Sequence, residues 1–135
     1  ELHDLALLLD GCDALLDGSL LSLKRLPACI RCGGRLPRYA RRYCSETCAN
    51  WFGLNHYWTL ARPEALRRAE GRCAHCGTAA DEINHIIPLN GGSRSPSCLN
   101  HQDNLEALCH GCHLKVTAVQ RRSRLRRSEA QAVLL

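Results

Sequence analysis

Two pairs of cysteines, each spaced Cys-x-x-Cys, are the residues of this chain whose types and spacing best fit a defined chemistry. They are Cys73 with Cys76 and Cys109 with Cys112. A structural zinc ion takes four thiolate ligands at the corners of a tetrahedron, and two such pairs supply all four. The spacing therefore predicts a structural Zn²⁺ that joins two distant parts of the chain.

The segment between these pairs is too elaborate for the short hairpin of a plain zinc ribbon. It contains an apolar run from Ile83 to Leu89 with a histidine inside it, then a Gly-Gly-Ser loop and an Asp-Asn-Leu turn. A second apolar run extends from Leu105 to Leu108. This order predicts a strand, a loop, a second strand and then a helix after the second cysteine pair.

These residues resemble the HNH endonucleases, a family with the ββα-metal fold. His85, Asn104 and His113 stand where the motif has its three named residues, and His113 directly follows the second cysteine pair. The Cys-Gly after the first pair, the Ile-Ile-Pro after His85 and the Asp-Asn-Leu turn also match, over about a third of the chain. A looser resemblance, in the order of the parts, is to the C-terminal HNH module of DNA-remodelling translocase-nucleases.

The resemblance implies a metal-dependent endonuclease that hydrolyses phosphodiester bonds in DNA. His85 would be the general base that removes a proton from the attacking water. One catalytic divalent ion (Mg²⁺, Mn²⁺ or Ni²⁺) would be bound by Asn84 and His113, and Asn104 would orient His85 or complete the ion's shell. The family usually has Asp where this chain has Asn84, so we expect weaker ion binding. The alternative function is a catalytically inactive, zinc-stabilised module that docks on nucleic acid or protein.

A second set of four cysteines precedes this unit. Its members are Cys29, Cys32, Cys44 and Cys48. The last two are separated by three residues, which suits ligands on the first turn of a helix, as in a treble-clef finger. Ser45 suits the N-cap of that helix, because its hydroxyl can accept a hydrogen bond from an unpaired backbone N–H. We predict a second structural Zn²⁺ here.

Helices are expected to connect the two metal-binding units. A single helix is predicted from about residue 46 to 61, with its aromatic side chains forming core rather than a surface for stacking bases. His56 lies in this apolar run and is interpreted as an ordinary core or surface histidine. Pro63 suits a first helical position, and a short second helix is predicted from Glu64 to Glu70.

Charge divides the chain into two parts. Residues 1–23 carry five acidic side chains and no Lys or Arg, and their leucines at helical spacing predict a packing or docking helix. The rest contains all eighteen Lys and Arg residues, which indicates a nucleic-acid partner. The residues expected to contact DNA phosphates are Arg67, Arg68, Arg121, Arg122 and Arg124, with a solvated surface as the alternative for both groups.

Together these features predict a small α+β protein that is stabilised by zinc, in which a ββα-metal unit follows a treble-clef zinc finger and helices. The expected divisions are a helical segment (1–26), a zinc finger with an aromatic helix (27–61) and a nuclease domain with a basic C-terminal helix (62–135). No run has the length or composition of a membrane span or a secretory signal. Cysteine pairs as metal ligands suit an intracellular protein of the cytoplasm, nucleoid or nucleus. The absence of Met, even at position 1, predicts that other domains of a longer parent chain are partners.

Overall fold

Three helices and one two-stranded sheet make up the part of the chain that the structure describes. The computed structural model describes residues 18, 23–89 and 96–132, so most of the predicted 1–26 helix lies outside the described residues. The small α+β class predicted from the sequence is confirmed. In chain order the elements are α1 (Glu46–His56), α2 (Trp58–Arg68), β1 (Glu82–His85), the short 3-10 turns Cys98–Asn100 and Gln102–Asn104, β2 (Leu105–Leu108) and α3 (His110–Ala132).

Helix α1 begins where the sequence predicted. Ser45 has extended backbone and is the N-cap, and its Oγ accepts a hydrogen bond from the backbone N–H of Cys48 at 3.2 Å. Glu46 in the first turn is favourable beside the positive end of the helix dipole. This cap fixes the position of Cys48, which is a member of the first cysteine cluster.

The predicted single helix from residue 46 to 61 is wrong. The backbone is extended at Tyr57, and a second helix, α2, starts at Trp58 and runs to Arg68. Pro63 lies inside α2 rather than at its first position, so the division expected between residues 61 and 62 falls within a helix. The break has a tertiary cause, because Ser97 N donates to the carbonyl oxygen of His56 at 2.9 Å and removes it from the helical hydrogen-bond pattern.

The two strands pair in antiparallel fashion. Asn84 lies opposite Glu106, and His85 lies opposite Leu105. The second strand, Leu105–Leu108, has its predicted bounds, whereas β1 ends at His85 rather than at Leu89. The shorter strand puts His85 at the point where the chain leaves the sheet.

The two faces of this sheet have different neighbours, because successive residues of a strand point to opposite sides. One face carries Ile83 and Ala107 into an apolar cluster with α2. The other face carries Glu82 and Asn84. Glu82 contacts the first turn of α3, and further along that helix Gln120 Nε2 donates to the carbonyl oxygen of His85 at 2.9 Å. The hairpin is therefore held between α2 and α3.

None of the helices in the described ranges is long and apolar enough to cross a membrane.

Candidate metal centres and histidine site

The first cysteine cluster has the geometry of a closed metal site. The sulfur of Cys44 lies 3.5 Å from that of Cys32 and 3.6 Å from that of Cys48, and the four sulfurs, including that of Cys29, lie within 4.8 Å of one another. Tetrahedral zinc with its usual bonds to sulfur separates the ligand atoms by about 3.8 Å. These residues therefore fit a structural zinc ion.

The second cluster repeats this geometry across a longer stretch of chain. The sulfurs of Cys76 and Cys109 are 3.6 Å apart, and with Cys73 and Cys112 they form the other four-cysteine group of the described residues. The backbone N–H of Ala74 donates to the carbonyl oxygen of Ala107 at 2.9 Å, so the first pair is attached to the sheet. An ion here would join the segment before the hairpin to the start of α3.

Both clusters depend on the same turn after a Cys-x-x-Cys pair. Gly33 and Gly77 each follow the second cysteine of a pair with φ of 69° and 73°, in the left-handed region that glycine adopts without a side-chain clash. Their N–H groups donate to the carbonyl oxygens of Cys29 and Cys73, at 2.8 and 2.9 Å. This turn brings the two sulfurs of each pair to one side.

The thiols of each cluster differ in acidity. Burial raises the pKa of Cys29 and Cys73, but hydrogen bonds from neighbouring backbone N–H groups outweigh it and lower each pKa to about 6. Hydrogen bonds to neighbouring thiols raise the pKa of Cys44 and of Cys112 to about 12. The pKa values of Cys48 and Cys109 are also lowered, chiefly by the hydrogen bonds from the Ser45 hydroxyl and from the backbone N–H of Cys112. Each cluster thus favours thiolate at some of its cysteines and thiol at others, and a full set of four thiolates requires a cation among them.

His85 is held at the end of β1 by a ring and an amide. Its imidazole stacks on Trp58, with ring centroids 5.0 Å apart and planes at 25°. Its Nε2 lies 3.1 Å from Oδ1 of Asn100, and Nδ2 of Asn100 donates to the carbonyl oxygen of His56 at 2.9 Å. Since that amide already donates elsewhere, Oδ1 accepts from the histidine, and the proton of neutral His85 is on Nε2.

The other nitrogen of His85 is consequently the basic one. Within the part of the chain that the structure describes, no hydrogen bond reaches Nδ1, and the side chain is partly exposed. A neutral imidazole with one donor nitrogen fixed and one acceptor nitrogen open to solvent can take a proton from water.

Asn100 was missed by the sequence reasoning. It is only 1% exposed, although it lies in a short polar stretch between the strands. A single asparagine in such a stretch has no periodic pattern to mark it. Only its position in the loop between the two strands could have indicated contact with His85. This indication is weak until the path of the loop is known.

Asn104 makes its side-chain hydrogen bonds with the backbone of the loop between the strands. Its Oδ1 accepts from the backbone N–H of Ile87 at 2.8 Å, and its Nδ2 donates to the carbonyl oxygens of Ile87 and Leu99 at 3.2 and 2.8 Å. No hydrogen bond to His85 is found among these contacts. Asn104 instead fixes the two ends of the loop between the strands, and this positions His85 indirectly.

Asn84 and His113 each contact a different carboxylate. Nδ2 of Asn84 donates to Oε1 of Glu106 at 2.8 Å, while Oε2 of Glu106 lies 3.1 Å from Nε2 of His75. His113 pairs through Nδ1 with Glu82. In the described residues no hydrogen bond joins Asn84 to His113, the pair predicted to bind the catalytic ion.

Glu82 also contacts a second histidine of the first turn of α3. Its Oε1 lies 2.7 Å from Nδ1 of His110, while Oε2 faces His113. The hydrogen bonds from His110 and His113 lower the pKa of the Glu82 carboxyl, and the same carboxylate raises the pKa of His110. Sequence reasoning missed Glu82, although its place two residues before Asn84 puts both on one face of β1.

The arginines predicted to contact DNA lie on two helices. Arg121, Arg122 and Arg124 are exposed on α3, beyond the point where Gln120 attaches it to the sheet. Arg68 is exposed on α2, whereas the guanidinium of Arg67 makes two hydrogen bonds of 2.7 Å to Glu64. An exposed pair of this kind is weak, so Arg67 remains available to phosphate at little cost.

In comparisons with known proteins, no family model, no curated protein and no solved structure matches this chain.

Proposed function

We propose that this chain is a metal-dependent HNH endonuclease domain that hydrolyses phosphodiester bonds in DNA. The observation that carries the proposal is the hydrogen bonding of His85, whose Nε2 is held by Asn100 and whose Nδ1 has no hydrogen-bond partner among the residues that the structure describes. It lies in a frame that two four-cysteine clusters can close with zinc. The HNH pattern around His85 gives this geometry its proposed chemistry.

His85 acts as the general base. Nδ1 accepts the proton of the attacking water, and the positive charge that develops on the ring is shared with Oδ1 of Asn100 through the Nε2–H hydrogen bond. Stacking on Trp58 limits rotation of the ring, so the basic nitrogen keeps one direction. A positioned base of this kind contributes roughly 10² to 10⁴-fold to the rate.

A divalent cation is required to offset the negative charge that develops on the phosphate. The residues suited to hold it are His113 and the oxygen-bearing side chains of β1 that face α3, because imidazole and oxygen donors suit the divalent ions of nucleases. Bound there, the ion would supply Lewis-acid stabilisation of the phosphoryl oxygens. Asn84 by itself offers a neutral oxygen, and its amide nitrogen is already bonded to Glu106.

The exposed arginines of α3 supply the affinity for the substrate. Their charges attract the phosphate backbone without distinguishing sequence, so binding should weaken as salt is raised. Since any sequence offers the same phosphates, targeting would come from other domains of a longer parent chain.

Incubation of the zinc-loaded chain with supercoiled plasmid and Mg²⁺, Mn²⁺ or Ni²⁺ tests the proposal. The wild type is expected to nick the plasmid, and His85→Ala to lose at least about 100-fold of the rate. His75→Ala, which removes an exposed imidazole that contacts Glu106 rather than His85 or His113, should nick like the wild type. Equal nicking by His85→Ala would remove His85 as the base.

A second candidate function is a docking module that binds DNA without cutting it. Two observations favour it. Asn84 and His113 are already paired with Glu106 and Glu82, and strand geometry places Asn84 and His85 on opposite faces of β1. Tight, salt-sensitive binding of plasmid with no nicking under any of the three ions would support this function over the first.

A further inference from the structure

We propose that Glu82, acting with His113, supplies the anionic ligand of the catalytic cation in place of the aspartate that HNH nucleases usually have at position 84. This inference rests on the proposed endonuclease function, and it names Glu82 as the source of the negative charge in the ion site. It identifies a residue that the HNH pattern does not mark.

The first support is the position of Glu82 on the strand. Residues two apart on a strand point to the same side, so Glu82 and Asn84 both project from the face of β1 opposite to Ile83, which faces the apolar core. A move of the carboxylate by two residues therefore keeps it on the same face. A move by one residue would put it into the apolar cluster or next to Trp58.

The second support is contact with the predicted histidine ligand. Oε2 of Glu82 meets Nδ1 of His113, and Oε1 lies 2.7 Å from Nδ1 of His110, one turn earlier on α3. Two ligand atoms on one divalent ion, with bonds of about 2.1 Å at right angles, lie about 3 Å apart. Glu82 and His113 are therefore near enough to share an ion after a small adjustment.

The third support comes from the hydrogen-bond partners of Asn84 and Glu106, the other two side chains of the sheet that could offer an oxygen ligand. The side chain of Asn84 is 4% exposed and donates to Glu106, and Glu106 in turn contacts His75. None of these contacts involves a histidine of α3. Glu106 thus acts as the hydrogen-bond acceptor that holds Asn84, whereas the carboxylate of Glu82 meets the helix that carries His113.

The exposure of Glu82 also suits an exchangeable ion. The side chains of Glu82 and His113 are each 31% exposed, so water reaches both. A divalent ion such as Mg²⁺ or Mn²⁺ keeps several water ligands and needs few from the protein. Partial exposure therefore separates this site from the closed four-cysteine clusters.

Direct measurement of Mn²⁺ binding tests the assignment without relying on catalysis. The zinc-loaded full chain is titrated with Mn²⁺, and the free ion is followed by its electron paramagnetic resonance signal. Glu82→Gln is expected to weaken binding at least about tenfold, because it removes the charge of the site. Glu106→Gln is the matched control, since it makes the same change in charge on the neighbouring strand, and it should bind Mn²⁺ within about twofold of the wild type.

A third variant guards against a simple folding defect. An Asp at position 84 would meet the Glu106 carboxylate that now accepts from Asn84, so Glu106 is neutralised as well. Glu82→Gln combined with Asn84→Asp and Glu106→Gln moves the carboxylate to the usual family position, and it is expected to recover most of the lost affinity. All variants must retain two zinc ions per chain by metal analysis. Failure of this variant to recover binding would count against the assignment, because it would mean that Glu82→Gln acts through the fold.

The outcomes separate this assignment from the proposed function. Wild-type binding by Glu82→Gln, equal weakening in Glu106→Gln, or no Mn²⁺ binding by the wild type would each overturn the assignment. Mn²⁺ binding that depends on Glu82, without plasmid nicking, would keep the assignment and refute the endonuclease. His85→Ala should bind Mn²⁺ like the wild type while losing activity, and loss of binding in this variant would also overturn the assignment.

Discussion

The two four-cysteine units use the same turn but differ in what surrounds it. In the first unit the buried apolar cluster consists of Cys29, Leu36 and Cys48, so two of its three members also belong to the four-cysteine group that could hold an ion. In the second unit the cluster contains no ligand, since its buried members are Ala61, Ala65, Ile83, Leu105 and Ala107. A metal ion would therefore lie at the centre of the first unit and at the edge of the second.

This difference shows how four cysteines could serve two purposes, namely to stabilise the fold of a small unit and to position one element of a larger one. Small units without enough apolar area depend on a metal for their folding free energy. The second unit has a hairpin packed on α2, together with buried polar side chains that bond its loop. An ion bound to the second unit would then serve chiefly to place the first turn of α3 against the strands.

Removal of the ion from one unit at a time should have the largest effect on folding, and it tests the difference between the two units most directly. Cys44→Ser with Cys48→Ser should lose one zinc and all slow amide exchange in residues 23–50, because structural zinc contributes on the order of 10 kcal/mol. Cys109→Ser with Cys112→Ser should also lose one zinc but keep partial protection in α2 and the hairpin. Amide protection in the two variants is compared by hydrogen exchange with mass spectrometry, and zinc content is measured in parallel. Equal loss of protection in both units would contradict it.

A buried asparagine should give the next largest effect. Asn104→Ala leaves the N–H and C=O of Ile87 and the C=O of Leu99 without their partner, which should cost about 3 kcal/mol of unfolding free energy. Ser45→Ala, which removes the cap of α1 in the first unit, should cost about 1 kcal/mol. Urea unfolding of the zinc-saturated proteins measures both. If Asn104→Ala costs no more than Ser45→Ala, hydrogen bonding does not stabilise the second unit as described.

The third effect concerns pH and the junction between the units. Burial lowers the pKa of His56 from 6.5 to about 4, and the nearby His101 adds to the shift. The folded state therefore keeps His56 neutral, while the unfolded chain takes up a proton below pH 6.5. Stability from this residue is complete above 6.5 and is lost as pH falls towards 4, by up to about 3 kcal/mol.

His56→Gln isolates this contribution from the acid release of zinc. The variant should lose less stability than the wild type between pH 7 and about 4, measured by urea unfolding at each pH. Parallel pH profiles for the two proteins would show that His56 is not held neutral at the junction.

Features with a local chemical signal could be predicted from the sequence. The cysteine pairs, the Ser45 cap and the second strand each depend on residues close together in the chain, and all appear in the structure. The break at Tyr57 has no such signal, since neither Gly nor Pro occurs there. It depends on Ser97 and Asn100 bonding the carbonyl oxygen of His56, contacts that only the folded loop creates.

The candidate site was predicted in part for the same reason. The HNH pattern marked His85, Asn104 and His113, but it could not give their partners. Asn100 and Glu82 became visible only when strand register and loop path placed them against His85 and His113. Single polar residues in a sequence do not indicate which neighbour they will meet.

Asn100 connects the two four-cysteine units, because its Nδ2 donates to the carbonyl oxygen of His56 in α1 and its Oδ1 accepts from Nε2 of His85. The backbone of His56, the last residue of α1, therefore fixes the Asn100 amide that sets the tautomer of the proposed base. Loss of the first ion should scramble the imidazole's nitrogen-15 resonances before the hairpin itself unfolds. A hairpin moved to another protein without α1 would therefore carry a histidine protonated on either nitrogen.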